Sequence, residues 1–460
     1  MLIVLSDLHF AESKSFALGH LDFNNNLPPV VYKAFFREIA DMIRQDHIET
    51  VHIALAGDIF EINRTPMWFK DSLRPYVNNQ EVIPDSPLEA RVLEILEAIA
   101  ADDRVAETLR IFRTLGELFG RPVVLHYIPG NHDRLLNASP AIRMKVRELL
   151  GQEKSGEPFE HQYLHYAQGK AMVFVRHGHE YDSSNFGENL IFRSEIPTRI
   201  DPEIYDRAVL GDIMSLEVAA KLLYLFKRYY TAETILSIEQ LITIYERLNE
   251  FDNVRPAQAL LNFLFSTPGM THKEVWRFIE PIFIRALDEI ALNENLRGDL
   301  IKFGGMVGFA AWMLKSLFKL RPWRWGLPYW AMKTFIIPAN SKTVLAPPLK
   351  YVLKEEMLQD RDSTLRCIVT GHTHDARVEL LDLDYNDREI YYINSGTFRN
   401  VITATPNMTE FGKLRSKSRV LIFEPGERNP DYMRETGWSF DFQAKFSFGA
   451  KPLEESPLGN

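Results

Sequence analysis

The 460-residue sequence predicts an α/β protein interrupted by a long helical insertion. Two observations carry that expectation. Short apolar runs at 2–5, 50–56, 123–128 and 171–175 alternate with segments of helical periodicity, and each run leads into Asp, Asn or His. Open α/β sheets place ligands at the C-terminal ends of their strands, where such side chains can converge. From about Phe186 to Glu356, strand signals largely vanish and helical spacing dominates.

Taken in order, Leu2 to Leu5 reads as a strand buried on both faces, because the run has no polar alternation, and it delivers Ser6-Asp7-Leu8-His9. Val31, Phe35, Ile39, Met42 and Ile43 then recur at helical spacing. The second run leads into Gly57-Asp58-Ile59-Phe60-Glu61, and 87–119 reads as helix in two pieces around Ala101-Asp102-Asp103. The third run ends at Pro129-Gly130-Asn131-His132-Asp133, followed by a helix over 141–150. Strand-like runs at 161–166 and 171–175 flank Gln168-Gly169-Lys170, and the second ends at Arg176-His177-Gly178-His179. In the insertion, Leu216, Ala219, Ala220, Leu223 and Phe226 keep helical spacing, as do Leu241, Ile242 and Tyr245. Strand character returns at 365–369, 377–383, 389–393 and 419–423. The chain thus divides into an α/β domain at 1–185 and 361–427, a helical insertion at 186–360, and a tail at 428–460 packed on the body.

The composition, 46% hydrophobic and 25% charged, is that of an ordinary globular protein. A single cysteine, Cys367, excludes an intramolecular disulfide and reads as a small core residue. The start MLIVLSDLH lacks a basic region before its apolar run, so it reads as a strand rather than a signal peptide, and the expected location is cytoplasmic. A net charge of −9 argues against charge-driven nucleic-acid binding by the whole surface. The charge is uneven, however: residues 300–354 hold nine Lys or Arg, no Asp or Glu, and four of the seven Trp. The apolar stretch from Phe303 to Leu314 falls short of the roughly 20 residues that a bilayer span takes. Around Trp323, Arg324, Trp325 and Trp330, the mixture of basic and aromatic residues admits three readings. These are a peripheral membrane contact through 303–335, plain packing of a helical cap, and, less favoured, single-stranded nucleic acid.

Seven candidate ligands lie at the strand ends: Asp7, His9, Asp58, Asn131, His177, His372 and His374. Carboxylate, amide and imidazole without thiolate suit Mn²⁺, Fe²⁺ or Zn²⁺. Seven are too many for one open catalytic ion and suit two ions, about 3.5–4 Å apart, that share a carboxylate. Among the other histidines, His20, His47, His161 and His272 read as surface or capped groups, and His52, His126 and His165 as core groups within strands. Glu61 reads equally as a partner of the site or as a helix-start carboxylate. Asn394-Ser395-Gly396-Thr397 is compatible with ordinary turn chemistry.

These motifs resemble the calcineurin-like metallophosphoesterases. That family carries Asp-x-His, Gly-Asp, Gly-Asn-His-Asp or -Glu, a lone His, and Gly-His-x-His. Here the same order runs Asp7-Leu8-His9, Gly57-Asp58, Gly130-Asn131-His132-Asp133, His177 and Gly371-His372-Thr373-His374. The resemblance covers about 1–182 and 364–425, and it implies a two-sheet sandwich flanked by helices with the insertion as a large helical cap. It implies that Asp7, His9 and His374 hold one divalent ion, Asn131, His177 and His372 the other, and that Asp58 bridges them. Mn²⁺ is the first choice of metal. It places the lone ligand directly after its strand, at His177 rather than His179. The implied reaction is hydrolysis of a phosphodiester or pyrophosphate by a metal-bridging hydroxide. In it, His132 contacts the phosphate and protonates the leaving oxygen, and Asp133 orients that imidazole.

Within the superfamily, Gly57-Asp58-Ile59-Phe60, His177-Gly178 and the Asn394–Thr397 loop are similar to the UDP-2,3-diacylglucosamine pyrophosphatase type. That type grips acyl chains with a helical lid, though it usually has Arg where this chain has His132, and its lid is far smaller. The implied substrate is an amphipathic phosphoester, lipid-linked or nucleotide-linked. The alternatives are a nuclease of the same superfamily and, remotely, a non-catalytic scaffold.

Overall fold

The computed structural model describes residues 1–447 apart from 22, 256–258, 361–362, 385–387, 429–436 and most of 294–347. Of that last stretch it describes 296, 319, 321–326, 328 and 329. The chain is an α/β protein with two mixed sheets. In the first, β1 (Leu2–Leu5), β2 (Val51–Ala56) and β3 (Val123–Ile128) are parallel neighbours. On the other side of β1 run β11 (Phe411–Phe423), antiparallel to it, and β10 (Asn400–Ala404), with β6 (Val254–Arg255) at the far edge. The second sheet has the order β4 (Gln162–Ala167), β5 (Lys170–Arg176), β7 (Cys367–Thr370), β9 (Glu389–Asn394) and β8 (Arg377–Leu383). Its β5, β7 and β9 are parallel.

The unbroken apolar run of β1 is explained by what covers its two faces. Leu2 and Val4 share a core with Val173, Val175, Val369 and Ile393 of the other sheet, so the sheets pack face to face. Ile3 and Leu5 point the opposite way, into a core built with the helices Pro29–Met42, Pro87–Ala100, Asp103–Arg113 and Pro140–Leu150. Burying each such side chain contributes about 1.5–3 kcal/mol. The helix Pro29–Met42 starts with a proline in its first turn and buries Val31, Phe35 and Ile39 of the stripe that its spacing predicts, together with Tyr32 and Phe36.

Between β5 and β7 the described chain is largely helical, with the region 202–292 as its main body. The helices Lys221–Tyr230, Glu239–Asn249, Leu260–Phe265 and His272–Leu292 enclose their own core, which takes in Ile402 of β10. The segment between β5 and β7 is not purely helical. Its strand β6 pairs with β10 through Ile402 opposite Val254 and Thr403 opposite Arg255, which ties it into the first sheet. The two ends of the insertion cover the outer face of the second sheet, where Ile196, Ile200, Tyr351 and Val352 pack with Phe174, Ile368 and Tyr392. Near its C-terminus the chain forms a further strand, β12 (Ser439–Ser447), antiparallel to β11.

No helix among the described residues is long and apolar enough to cross a membrane. Of the basic, aromatic stretch, 303–318, 320, 327 and 330–335 lie outside the described residues. Trp323 is buried, its indole N–H donating to Asp288 at 2.9 Å, and the Tyr329 hydroxyl lies 3.0 Å from Nδ1 of His272.

Candidate metal centre

Because β1, β2 and β3 run parallel, as do β5, β7 and β9, the loops that follow them open at one edge of the molecule. The first two loops are joined by backbone bonds, Asp7 N–H to Gly57 C=O at 3.0 Å and His9 N–H to Asp58 C=O at 2.9 Å. Five of the candidate residues, Asp7, His9, Asp58, His372 and His374, adopt positive φ between 44° and 67°. That conformation is uncommon without glycine, and packing must hold it in place. Two motif glycines make room. A Cβ on Gly57, whose φ is +86°, would lie 2.3 Å from Nδ1 of His177, and one on Gly371 would lie 2.3 Å from Oδ2 of Asp7.

All seven candidates meet. Asp7, His9 and His374 bring ligand-type atoms together in one group, and Asp58, His177 and His372 in another. In the first, Nε2 of His374 lies 3.2 Å from Oδ1 of Asp7 and 3.2 Å from Nε2 of His9. Oδ1 of Asp7 is buried with no hydrogen-bond partner among the described residues, while Oδ2 accepts from the His372 backbone N–H at 3.0 Å. In the second, Oδ2 of Asp58 lies 3.2 Å from Nε2 of His177, and Oδ1 of Asn131 is 3.3 Å from the same nitrogen. Oδ2 of Asp58 is also 3.7 Å from Nε2 of His9, so this carboxylate stands between the groups.

The outer nitrogens fix which atoms face inward. His177 donates Nδ1–H to the Ala56 carbonyl at 2.8 Å, and His9 donates Nδ1–H to Oε2 of Glu61 at 3.0 Å. Each bond turns Nε2 toward the centre, as the outer partners of metal-binding histidines do. Burial, followed by the nearby His132, pushes His9 down to about 3, despite the favourable Glu61 and Asp58, so its ring is neutral. Burial, then Arg255, holds His374 well below its ordinary range. His177 behaves oppositely: burial opposes its charge, but Asp58 outweighs it and raises the group to about 10. A cation between His177 and Asp58 would replace that proton. Burial raises Asp7 to about 6, with Asp58 adding to the shift and His177 opposing it.

The adjacent His, Asp and Glu groups can therefore hold metal ions. A third group, His9, Glu61 and His132, shares His9 with the first. Glu61 lies on the Nδ1 side of His9, and its Oε1 accepts from the backbone N–H groups of Asn63 and Arg64, so it serves better as the outer partner.

The expected pairing of Asp133 with His132 is corrected. Asp133 is buried with Oδ2 accepting from Ile59 N–H at 2.9 Å and the Tyr127 hydroxyl at 2.8 Å, and Oδ1 accepting from Gly130 N–H at 2.5 Å. These bonds turn it away from the imidazole. Nδ1 of His132 lies instead 2.8 Å from Oε2 of Glu61. Burial opposes the charge on His132, but Glu61 and Asp58 raise its pKa above the ordinary value. His132 and His372 are the partly open members of the set, with side chains 17% and 12% exposed.

No protein-family model matches the chain, and no curated protein matches it significantly.

Further residues border the site without belonging to the seven candidate ligands. Asp182 places Oδ2 3.2 Å from Nε2 of His372. His179 lies behind His177, with ring centroids 5.2 Å apart. The Asn394–Thr397 loop packs beneath the centre: Asn394 donates to the Gly371 carbonyl at 2.7 Å, and the Thr397 hydroxyl donates to the Asp7 carbonyl at 2.7 Å. Three arginines, Arg64, Arg255 and Arg399, border the His9 and His374 side. Burial, then mutual repulsion only partly offset by the carboxylates, brings Arg64 down to about 9 and Arg255 to about 10. The sequence offers no signal for Arg255, because its strand is two residues long.

Proposed function

We propose that this chain is a binuclear metal-dependent phosphoester hydrolase acting on a phosphodiester or pyrophosphate. The observation that carries the reading is Asp58, one carboxylate oxygen of which stands between two separate groups of imidazole and carboxylate donors. The unpartnered Oδ1 of Asp7 and the inward-facing Nε2 atoms form a hard-to-borderline donor set that fits such ions. Asp7, His9 and His374 would hold one ion and Asn131, His177 and His372 the other, with Asp58 shared; Mn²⁺ suits the set, and so do Fe²⁺ and Zn²⁺. Divalent ions bound there would supply Lewis acidity to the phosphoryl oxygens and would acidify a water nucleophile.

The chain's own residues do the rest. Glu61 orients His9 by a hydrogen bond at Nδ1 and stands in ion-pair contact with Nδ1 of His132. His132, partly open and held toward its charged form by Glu61 and Asp58, is the proton donor to the leaving oxygen. The metallophosphoesterase resemblance supports the same metal ligands and His132 as the proton donor, with 1–185 and 361–427 as the catalytic domain, 186–360 as a cap, and 428–460 as a tail packed on the body. It also supports a nucleotide-linked or lipid-linked phosphoester as substrate. The test is Mn²⁺-supplemented hydrolysis of UDP-diacylglucosamine beside a water-soluble aryl phosphodiester, with Asp58→Asn as the blank. Turnover of either substrate that Asp58→Asn abolishes is expected. Equal activity in the variant would overturn the site.

A further inference from the structure

Three guanidinium groups converge beside the metal groups, from three parts of the chain. Arg64 follows the second strand-end loop, Arg399 follows the Asn394–Thr397 loop, and Arg255 belongs to β6 of the insertion. Asp252 is the carboxylate that pairs with two of them: Oδ1 meets Nη1 of Arg64, and Oδ2 lies 3.6 Å from Nη2 of Arg399. Among the described residues no carboxylate forms an ion pair with Arg255.

Arg255 is nonetheless held in place. Its Nη1 donates to the carbonyls of Asp252 and Val254 at 2.8 and 2.9 Å. Its Nη2 lies 2.8 and 3.1 Å from the two ring nitrogens of His374. Two such similar distances place Nη2 over the ring face rather than on one lone pair, a contact that guanidinium planes favour. Nε2 of His374 keeps its contacts with Nε2 of His9 and Oδ1 of Asp7, both at 3.2 Å.

The cluster is under-bonded as well as under-neutralised. Nε of Arg64 and Nη2 of Arg399 are buried without hydrogen-bond partners among the described residues; Arg399 is only 2% exposed and the Arg64 side chain only 14%. Buried guanidinium donors normally find partners, and leaving them without any is costly. Guanidinium forks match the oxygens of phosphate. A substrate oxyanion satisfies both the charge and the open donors.

We propose that Arg64, Arg255 and Arg399 form an oxyanion subsite, completed by the insertion, for a phosphate group that the substrate carries in addition to the one attacked. This rests on the phosphoester hydrolase reading and narrows its substrate to a pyrophosphate or a phosphoester bearing a second phosphate. The insertion then takes part in recognition through Arg255 itself, not only by covering the strand ends.

The test is a calorimetric titration of inorganic pyrophosphate into the full-length chain after chelation of metal, with circular dichroism as the folding control. Wild type should bind at one site. Arg255→Met and Arg64→Met should each weaken binding at least tenfold, and Arg255→Lys less. Asp252→Asn should bind at least threefold tighter, because it removes the carboxylate that competes for Arg64 and Arg399; a misfolded variant would not show that gain. No binding by wild type, or equal binding by folded Arg255→Met, would overturn the subsite. Mn²⁺-dependent hydrolysis of bis-p-nitrophenyl phosphate, which has no second phosphate, tests the underlying reading separately. Pyrophosphate binding without any turnover would leave the subsite standing and remove the hydrolase.

Discussion

Oε2 of Glu61 lies 2.8 Å from Nδ1 of His132 and, on its other side, 3.0 Å from Nδ1 of His9. One carboxylate therefore orients both a candidate ligand and the candidate proton donor. Glu61→Gln keeps the shape and removes the charge, so metal affinity should fall by about 10–100-fold and turnover should fall with it. Asp133→Asn should behave differently. Its carboxylate caps backbone amides and Tyr127 rather than His132, so it should lose about 1–3 kcal/mol of stability. A chelator competition and a urea melt on each variant separate the two outcomes. Loss of metal affinity in Asp133→Asn without destabilisation would contradict the assignment.

Asp58→Asn tests the shared carboxylate. Oδ1 accepts from the His132 backbone N–H at 2.9 Å, and an amide oxygen can replace it there, so the fold should survive. Oδ2 lies between His9 and His177, and its charge cannot be replaced. Bound metal after reconstitution should drop from two ions per chain to one or none, with turnover reduced by about 1000-fold or more, several kcal/mol in the barrier. Plasma emission spectrometry on the purified variant reads the first quantity directly. Retention of two ions would remove Asp58 from the bridge.

Gly57→Ala probes how the loops make room for the centre. The new Cβ would meet the His177 ring at 2.3 Å on a backbone at φ +86°. Overpacking and strain together should cost about 2–4 kcal/mol. The melting temperature should fall, and metal affinity should fall with it because His177 must move. Gly120 also has positive φ, but a Cβ there meets nothing within 4 Å, so Gly120→Ala is the control for backbone strain alone.

Much of the site was legible because its chemistry is concentrated in short strings that follow apolar runs. Leu2 to Leu5 announces a strand buried on both faces, and the polar residues just after it have nowhere to sit but the strand end. The direction of Asp133 was not legible, because Asn131-His132-Asp133 puts three polar side chains in adjacent positions, and only the fold decides which face Glu61. β10 and the first half of β11 escaped because their residues are mixed: Lys413, Arg415 and Lys417 interrupt any apolar run, and pairing with β10 and β12 holds them in the sheet. β12 does carry a period-two signal in Phe440, Phe442 and Ala444, obscured by the Pro and Gly residues around it. Arg255 could not have been found, since its part in the centre depends on a two-residue strand meeting β10.

His161, away from the centre, sets a pH dependence of stability. Its ring is buried and stacks on Tyr205 at 3.8 Å and 7°, and its Nε2 faces the Asn137 amide at 3.4 Å. Burial pushes its pKa from 6.5 down to about 4, against a weaker pull from Glu180. Between those values the unfolded chain binds the proton and the folded chain does not, so stability rises with pH in this window. The contribution is present above about pH 6.5 and is lost as pH falls toward 4. From pH 7 to 4.5 the loss attributable to this residue is about 2 kcal/mol. In His161→Phe, which keeps the stack on Tyr205, the fall in unfolding free energy over that range should be smaller by that amount. Urea melts at pH 7, 6, 5 and 4.5 on both proteins give the comparison, and parallel curves would show that His161 titrates alike in the folded and unfolded chains.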